Sequence, residues 1–153
     1  MYALVDTATE VTAVAGVNYT SYAGEKYDPK NAIEDGQATV SARNITVDYG
    51  TGYFVGNSAT DDVCLVLGEC LEDFRYLLVN DIKGFNVSAD INGIFGWARP
   101  DRSMQLNPSI TPDSNDTSFM LKAMQDQQFG SDFTTRFRKG YVSWIDVGGA
   151  SER

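Results

Sequence analysis

Apolar residues in this chain come in short runs, and this shortness is what most constrains the fold. The runs either alternate with polar residues or cover a few apolar positions, and they stop at Gly, Asn, Asp or Pro. Such a pattern is typical of β-strands joined by irregular turns. It predicts a mainly β fold with strands at Tyr2–Val5, Val11–Ala15, Ile45–Tyr49, Tyr53–Val55, Val63–Leu67, Phe74–Val79, Ile91–Phe95, Phe133–Phe137 and Tyr141–Val147.

One stretch, residues 117–129, departs from the β pattern. Its apolar side chains recur with the 3.6-residue period of an α-helix, and they are Phe119, Met120, Ala123 and Met124. We expect a single amphipathic helix whose apolar side packs on the sheet and binds no cofactor. No repeat or low-complexity linker interrupts the chain, which favours a single domain over residues 1–153.

Charge and composition exclude several classes of function. The formal net charge is -9, so a phosphate backbone or an anionic membrane surface would be repelled, and we expect no nucleic-acid or membrane partner. The chain has no histidine, which removes Ser-His-Asp and Cys-His catalysis and every metal site built on imidazole. Carboxylate chemistry remains, with no metal and no cofactor expected.

The two cysteines, Cys64 and Cys70, are too few for a zinc tetrad and are spaced to close a short loop such as a hairpin tip. A disulfide is the favoured interpretation, and a pair of free buried thiols is the alternative.

The chain contains several N-glycosylation triplets, at Asn18, Asn44, Asn86 and Asn115. Together with the acidic composition they favour a secreted or lumenal glycoprotein, extracellular, vacuolar or lysosomal; the alternative is chance occurrence. The opening residues lack the basic and long apolar parts of a signal peptide. A secreted protein would therefore make this sequence a mature or excised piece of a longer precursor.

Asp6 lies between two predicted apolar strands, in the phrase Val5-Asp6-Thr7-Ala8-Thr9. A buried carboxylate is costly unless it is hydrogen-bonded. The simplest interpretation is an Asx turn in which Asp6 accepts a bond from the backbone two residues on.

Two further phrases bear on Asp6. Residues 45–56 form an alternating strand, a Gly-Thr-Gly tip and a returning strand, which predicts a β-hairpin. Residues 92–98, Asn-Gly-Ile-Phe-Gly-Trp-Ala, hold two apolar residues between glycines, where glycine permits close backbone approach inside a β fold.

In their order and spacing these phrases resemble the amino-terminal lobe of the pepsin-like aspartic proteases of eukaryotes. That family has a hydrophobic strand running into Asp-Thr-Gly-Ser, a Tyr-Gly-Thr-Gly flap, a Gly-Ile-Leu-Gly-Leu-Ala strand, a helix and a closing strand near Gly-Gly. This chain matches with Asp6-Thr7-Ala8-Thr9, Tyr49-Gly50-Thr51-Gly52, Gly93-Ile94-Phe95-Gly96-Trp97-Ala98, the helix and Val147-Gly148-Gly149.

The resemblance implies a single lobe of an acid-protease β-barrel with one amphipathic helix. In that family each lobe gives one aspartate to a dyad that shares a proton and activates water. The resemblance implies that Asp6 is the catalytic residue of this lobe. Thr7, which would brace the opposite lobe, and the hydroxyl of Thr9 would support it. The flap over the substrate would carry Tyr49, Thr51 and Gly52, and Cys64 and Cys70 would lie on the following hairpin.

Departures from the family pattern bear on activity. Ala8 replaces the motif glycine where the active-site loops of the two lobes approach, and Ala13 stands where a tryptophan often supports the flap tyrosine. The strands that normally precede the motif are truncated, and no second Asp-Thr-Gly occurs after Gly149. We therefore expect one amino-terminal lobe over residues 1–153, with the second lobe absent.

Two functions remain open at this stage. The first is an aspartic endopeptidase lobe, inactive as this chain alone, that acts on a polypeptide when a second lobe or another chain supplies the second aspartate. The alternative is a non-catalytic, protease-like structural or binding subunit of a glycosylated extracellular assembly. Either function implies N-glycans and a protein partner that covers the open face.

Overall fold

The fold is mainly β, as the alternating runs predict. A computed structural model of the chain describes residues 3–6, 8–31, 38–48, 52–66, 69–84, 91–98, 119, 122–123, 133–136 and 144–147. The strands are β1 (Ala3–Asp6), β2 (Ala13–Ala15), β3 (Thr39–Asp48), β4 (Tyr53–Val66), β5 (Glu69–Lys83), β6 (Gly93–Gly96), β7 (Phe133–Arg136) and β8 (Trp144–Val147). A 3₁₀ turn covers Pro29–Asn31.

Six of these strands form one mixed sheet in the order β1-β6-β2-β5-β4-β3. The pairs β1–β6 and β2–β5 are parallel, and the other neighbours are antiparallel. Within the described residues β1 and β3 are the two edges, and no pairing joins them, so the sheet is open. The β-barrel that the resemblance implies stays a prediction.

The strands β4 and β5 are much longer than the sequence pattern predicts. Tyr53–Val55 and Val63–Leu67 are predicted as separate strands; the first and the part of the second up to Val66 belong to the single 14-residue strand β4, and Leu67 lies outside the described residues. Its polar middle has no clear alternation, but it pairs with the apolar part of β5, through Asn57↔Leu78 to Asp61↔Phe74. Backbone hydrogen bonds extend a strand through residues whose side chains carry no strand signal, because the ladder uses only N–H and C=O groups.

The β4–β5 hairpin carries the disulfide near its tip. Cys64 and Cys70 are direct partners across the two strands and are bonded to each other. The predicted disulfide is therefore confirmed, and the described residues include no free cysteine.

The core has two parts on opposite faces of the central strands, because Phe74 and the pair Leu77 and Val79 alternate in direction along the regular part of β5. Its first part is a cluster of buried side chains from β2, β3, β4 and β5 and the residues before β2: Val11, Ala13, Val47, Phe54, Leu77 and Val79. Its second part is aromatic and centres on Phe119, whose side chain is 0% exposed. The Phe119 ring stacks on Trp97 at 5.0 Å and contacts Phe95 at 4.7 Å and Phe74 at 6.0 Å between centroids.

The predicted helix is described at three positions only, Phe119, Lys122 and Ala123, and all three are helical. Phe119 packs on aromatic residues of β5, β6 and the segment after β6, in agreement with the prediction that the apolar stripe covers the sheet. Met120 and Met124 lie outside the described residues. Nowhere in the described ranges is there a helix of the length and apolar character that crossing a bilayer requires.

The chain forms two compact units, Met1–Lys122 and Ala123–Arg153. The six-stranded sheet belongs to the first unit. In the second, β7 and β8 pair as an antiparallel ladder that runs from Phe133↔Val147 to Arg136↔Trp144. Both strands are predicted from the sequence, and the remaining predicted positions, Phe137 and residues 141–143, lie outside the described residues.

Removing the disulfide should have a modest effect on stability. Because Cys64 and Cys70 close a short loop, replacing both by Ser should lower the free energy of unfolding by about 2 kcal/mol. Urea unfolding followed by circular dichroism measures this loss. Wild-type protein held under reducing conditions is the matched control and should show the same loss; an unchanged midpoint in both would contradict the prediction.

Candidate functional site

Asp6 is the last residue of β1 and is half-buried. Strand β1 runs parallel to β6 in a register that aligns Ala3 with Gly93 and Asp6 with Gly96. The aspartate phrase and the second glycine phrase, which are far apart in the sequence, are thus direct neighbours in the sheet.

The segment that follows β6 also holds the loop that follows Asp6. The Trp97 N–H donates to the Asp6 carbonyl oxygen at 2.9 Å, and the Ala98 N–H donates to the Thr9 carbonyl oxygen at 2.9 Å. These two bonds continue the β1–β6 ladder past the aspartate. The backbones of Asp6 and Thr9 are therefore held by residues 97 and 98.

The Asp6 carboxylate accepts a hydrogen bond from the backbone of its own loop. The Ala8 N–H donates to Asp6 Oδ1 at 2.8 Å. This geometry confirms the predicted Asx turn, and it shows that alanine in place of the motif glycine keeps the backbone donor. The turn therefore orients one carboxylate oxygen of Asp6.

Two threonines stabilise the entry into β2. Thr9 Oγ1 accepts from the Val11 N–H at 3.3 Å, which is a local turn bond. Thr12 is 4% exposed, and its Oγ1 accepts from the Gly96 N–H at 3.1 Å. The Thr12 carbonyl oxygen accepts from the Leu77 N–H at 2.8 Å, so Thr12 joins β6 to β5.

Sequence reasoning did not find Thr12. Its signal was available, because Thr12 is a polar residue between Val11 and Ala13 inside a predicted apolar strand. A buried hydroxyl in such a position must find a hydrogen-bond partner.

The glycines of β6 are required by close packing against the neighbouring chain. A Cβ atom added to Gly96 would lie 2.6 Å from the Val11 carbonyl carbon and 2.7 Å from Glu10 backbone atoms. At Gly93 it would lie 2.3 Å from the Ala13 carbonyl oxygen. The predicted close backbone approach is confirmed at both positions.

Glu10 is a half-buried carboxyl group in the same loop. Its backbone packs against Gly96, and burial raises its pKa above the ordinary value. Sequence reasoning did not single out this residue, because a lone glutamate between polar and apolar neighbours has no distinctive pattern.

The predicted flap lies only partly within the described residues. The β3–β4 hairpin forms as predicted, and its last described pairs are Val47↔Phe54 and Asp48↔Tyr53. Gly52 is buried and lies immediately before the returning strand β4. Tyr49 and Thr51 lie outside the described residues, as does Thr7. In the sheet order β6, β2 and β5 lie between β1 and this hairpin, so the described pairing does not bring the hairpin to Asp6.

Some of the predicted glycosylation sites lie within the described residues and the others do not. Asn18 is exposed in the turn after β2, and Asn44 is exposed on β3. Asn86 and Asn115 lie outside the described residues. Occupancy stays a prediction at all of them.

A second polar cluster, found by neither motif nor pattern, joins the loop after β2 to β4 and β5. The Tyr27 hydroxyl donates to Asp61 Oδ2, and the Tyr27 ring meets the Tyr76 ring edge to face at 6.1 Å. Burial, reinforced by the bond to Asp61, raises the pKa of Tyr27 to about 12. Burial also raises the pKa of Tyr76, and the neighbouring Tyr27 and Asp61 raise it further.

This cluster secures the loop after β2. The Tyr27 N–H donates to the Ala15 carbonyl oxygen at 2.8 Å, and the Val17 N–H donates to the Tyr27 carbonyl oxygen at 3.1 Å. The loop is therefore bonded to β2 through the backbone of Tyr27 and to β4 through the hydroxyl group of Tyr27.

Among the described ranges no group of three or more His, Cys, Asp or Glu side chains could hold a metal ion. The chemistry available at the described site is that of the Asp6 carboxylate, the Glu10 carboxyl group, the nearby backbone N–H groups and the Thr9 hydroxyl.

Comparison with models of known protein families found no match, and a search of curated proteins found no similar sequence. Inference about function therefore depends on the residues and their geometry.

Removing the Thr12 hydroxyl should destabilise the fold around β6. Thr12→Val keeps the shape of the side chain but leaves the buried Gly96 N–H without its acceptor, which should cost about 1–3 kcal/mol. Urea unfolding measures the loss, and faster amide exchange at Gly96 should accompany it. Thr39→Val, on an exposed strand position, is the matched control and should change stability by less than about 0.5 kcal/mol. Equal effects of the two variants would disprove the role of Thr12.

Alkaline pH should weaken the fold in part through Tyr27. Its pKa rises from 10.0 in the unfolded chain to about 12 in the folded protein, so the folded state holds this proton more tightly. The resulting stability is complete below pH 10 and is lost as the pH rises through 12. Unfolding free energies measured across this window should fall less steeply for Tyr27→Phe than for the wild type.

Asp61→Asn separates the two causes of this shift. It removes the charged acceptor but leaves the tyrosine buried, so it should flatten the pH dependence less than Tyr27→Phe does. A slope for Tyr27→Phe identical to the wild-type slope would refute the assignment.

Proposed function

We propose that this chain is the amino-terminal lobe of a pepsin-like aspartic endopeptidase, with Asp6 as the carboxylate that the lobe contributes to the catalytic dyad. The observation that carries the proposal is the register of β1 with β6, which sets Asp6 beside Gly96. Two phrases that resemble the same family thus lie side by side. A chance likeness of two separate phrases gives no reason for them to pair.

The local geometry suits a dyad carboxylate. Asp6 is half-buried at the end of a strand, its loop is held by the backbone of residues 97 and 98, and its Oδ1 accepts the Ala8 N–H. A carboxylate held in this way loses little orientational freedom when a substrate binds. Its second oxygen, Oδ2, would share the proton with the partner carboxylate.

In the proposed reaction the ionised member of the dyad removes a proton from a water molecule. The water oxygen attacks the carbonyl carbon of the peptide bond, while the protonated member donates its proton to the carbonyl oxygen. Collapse of the tetrahedral intermediate breaks the C–N bond, and a proton passes to the leaving amine. Two close carboxylates are needed because like charges at short range keep one of them protonated.

The second carboxylate would come from a second lobe or from another chain. Strand β1 offers a place for that partner, since it is an edge strand of the described sheet and its Leu4 is 50% exposed. A covering partner would bury this edge and would close the lobe toward the barrel that the resemblance implies. The disulfide supports an oxidising, extracellular or lumenal compartment, where N-glycans on exposed asparagines are also made.

Replacing Asp6 tests the proposal in the complete protein that contains this chain. Protein purified from cells that make it should hydrolyse a denatured protein substrate at acid pH, and Asp6→Asn should reduce kcat at least about 1000-fold, since the dyad acts as a unit. The isolated 153-residue chain should release no peptide, because it supplies one carboxylate of the dyad.

Asp73→Asn is the matched control for this experiment. Asp73 is exposed on β5 and has a φ of 52°, a conformation that asparagine adopts as readily as aspartate. This variant should keep full activity. Activity that survives Asp6→Asn, in either the complete protein or the isolated chain, would sink the proposal.

A non-catalytic role is the second candidate, and Ala8 favours it. Alanine stands where the family has glycine, and the Asx turn alone accounts for the bond between Ala8 and Asp6. The chain would then be a structural or binding subunit of a glycosylated assembly. Absence of hydrolysis by the complete wild-type protein across acid pH would favour this candidate over the first.

A further inference from the structure

Strand β3 (Thr39–Asp48) is an edge strand that has little protection of its own. No strand pairs with its outer side within the described residues. Its ten residues include no proline, glycine or lysine, and its two charges, from Arg43 and Asp48, cancel. Val40 is 40% exposed. Long β-prone edges of low net charge are the surfaces through which β proteins associate edge to edge.

A β-bulge protects only the first half of this edge. The register with β4 shifts between Val40 and Asn44. The Asn57 Nδ2 amide donates to the carbonyl oxygens of Ser41 at 3.0 Å and Arg43 at 3.4 Å, and the Arg43 N–H donates to Ser41 Oγ at 3.1 Å. Bulged backbone held in this way is a poor template for another strand.

The second half of β3, from Asn44 to Asp48, is regular. It pairs residue by residue with β4, from Asn44↔Asn57 to Asp48↔Tyr53. Its outer backbone groups therefore have the regular spacing that a further strand can use. Within the described residues no strand pairs with this half of the edge.

Asn44 begins this regular segment, and it also begins the triplet Asn44-Ile45-Thr46. Ile45 is partly buried and Val47 is buried, whereas Asn44, Thr46 and Asp48 are exposed, so Asn44 lies on the solvent face. Asn57 Nδ2 donates to Asn44 Oδ1 at 3.3 Å, and Asn80 Nδ2 donates to Asn57 Oδ1 at 2.6 Å. The chain of amides uses the oxygen of Asn44, while an N-glycan attaches to its nitrogen, so the bond and the glycan are compatible.

From this arrangement we infer that Asn44 carries an N-glycan that covers the outer edge of β3 and prevents it from pairing with the same edge of a second copy. The β-bulge protects the first half of β3 and the glycan covers the second half, so together they protect the whole strand. Asn18 is also exposed, but it lies in a turn, so a glycan there protects no strand edge. The inference concerns the edge opposite β1 and does not depend on catalysis by Asp6.

Three variants of the full chain, secreted from eukaryotic cells behind an added signal sequence, test the inference. Thr46→Val removes the triplet but keeps Asn44 and a β-branched side chain, and Thr46→Ser keeps the triplet. Thr20→Val removes the triplet of Asn18 and is the matched control. Mass spectrometry after enzymatic glycan release in heavy-oxygen water reports occupancy at Asn44, and sedimentation velocity reports self-association.

The wild type and Thr46→Ser should carry a glycan at Asn44, and Thr46→Val should not. The dissociation constant for self-association should be at least about ten-fold lower for Thr46→Val than for Thr20→Val. Several cross-strand pairs can form along this edge, and together they are sufficient for a change of this size. Wild-type protein whose glycans are trimmed after folding by an endoglycosidase, which leaves one sugar on an intact asparagine amide, should associate like Thr46→Val, which excludes a folding defect as the cause. An unmodified Asn44 in the wild type, or equal association of Thr46→Val and Thr20→Val, would overturn the inference.

Discussion

The described site depends on the insertion of β6 between β1 and β2. Strand β6 can enter this space because Gly93 and Gly96 have no side chains, and the backbones of residues 10–13 approach within distances that a Cβ atom would not permit. Strand β1 pairs with the other side of β6, in the register that aligns Asp6 with Gly96. The position of Asp6 follows from that register, since Asp6 ends the strand that β6 aligns.

Polar contacts at the end of β6 complete the arrangement. The Gly96 N–H is satisfied by the buried Thr12 hydroxyl, and the N–H groups of Trp97 and Ala98 are satisfied by carbonyl groups of the Asp6 loop. Below them, the stack of Trp97 on Phe119 connects the end of the strand to the helical residues. The loop is therefore held by hydrogen bonds along its backbone and by aromatic packing beneath.

Much of the strand content could be predicted from sequence, and the extent of the strands could not. Alternation located the cores of the strands, but β4 runs on through Gly56 to Asp62, where the side chains show no strand pattern. Pairing with β5 supplies the missing information, because hydrogen bonds between backbones do not depend on side-chain periodicity. The same limit applies to Thr12 and to the Tyr27–Asp61 bond, whose partners are distant in the sequence.

The sequence by itself determined a mainly β chain, the Asx turn at Asp6, the disulfide between Cys64 and Cys70 and the glycines that allow close approach. These features are local, or they follow from residues that have few alternatives, such as two cysteines that can pair only with each other. Only the tertiary structure decided which strands are neighbours, that the Asp6 phrase and the Gly93 phrase lie together, and that β3 is left at an edge. The physical reason is that strand order depends on contacts between distant segments, and the period of a strand records which face is buried but not which strand lies beside it.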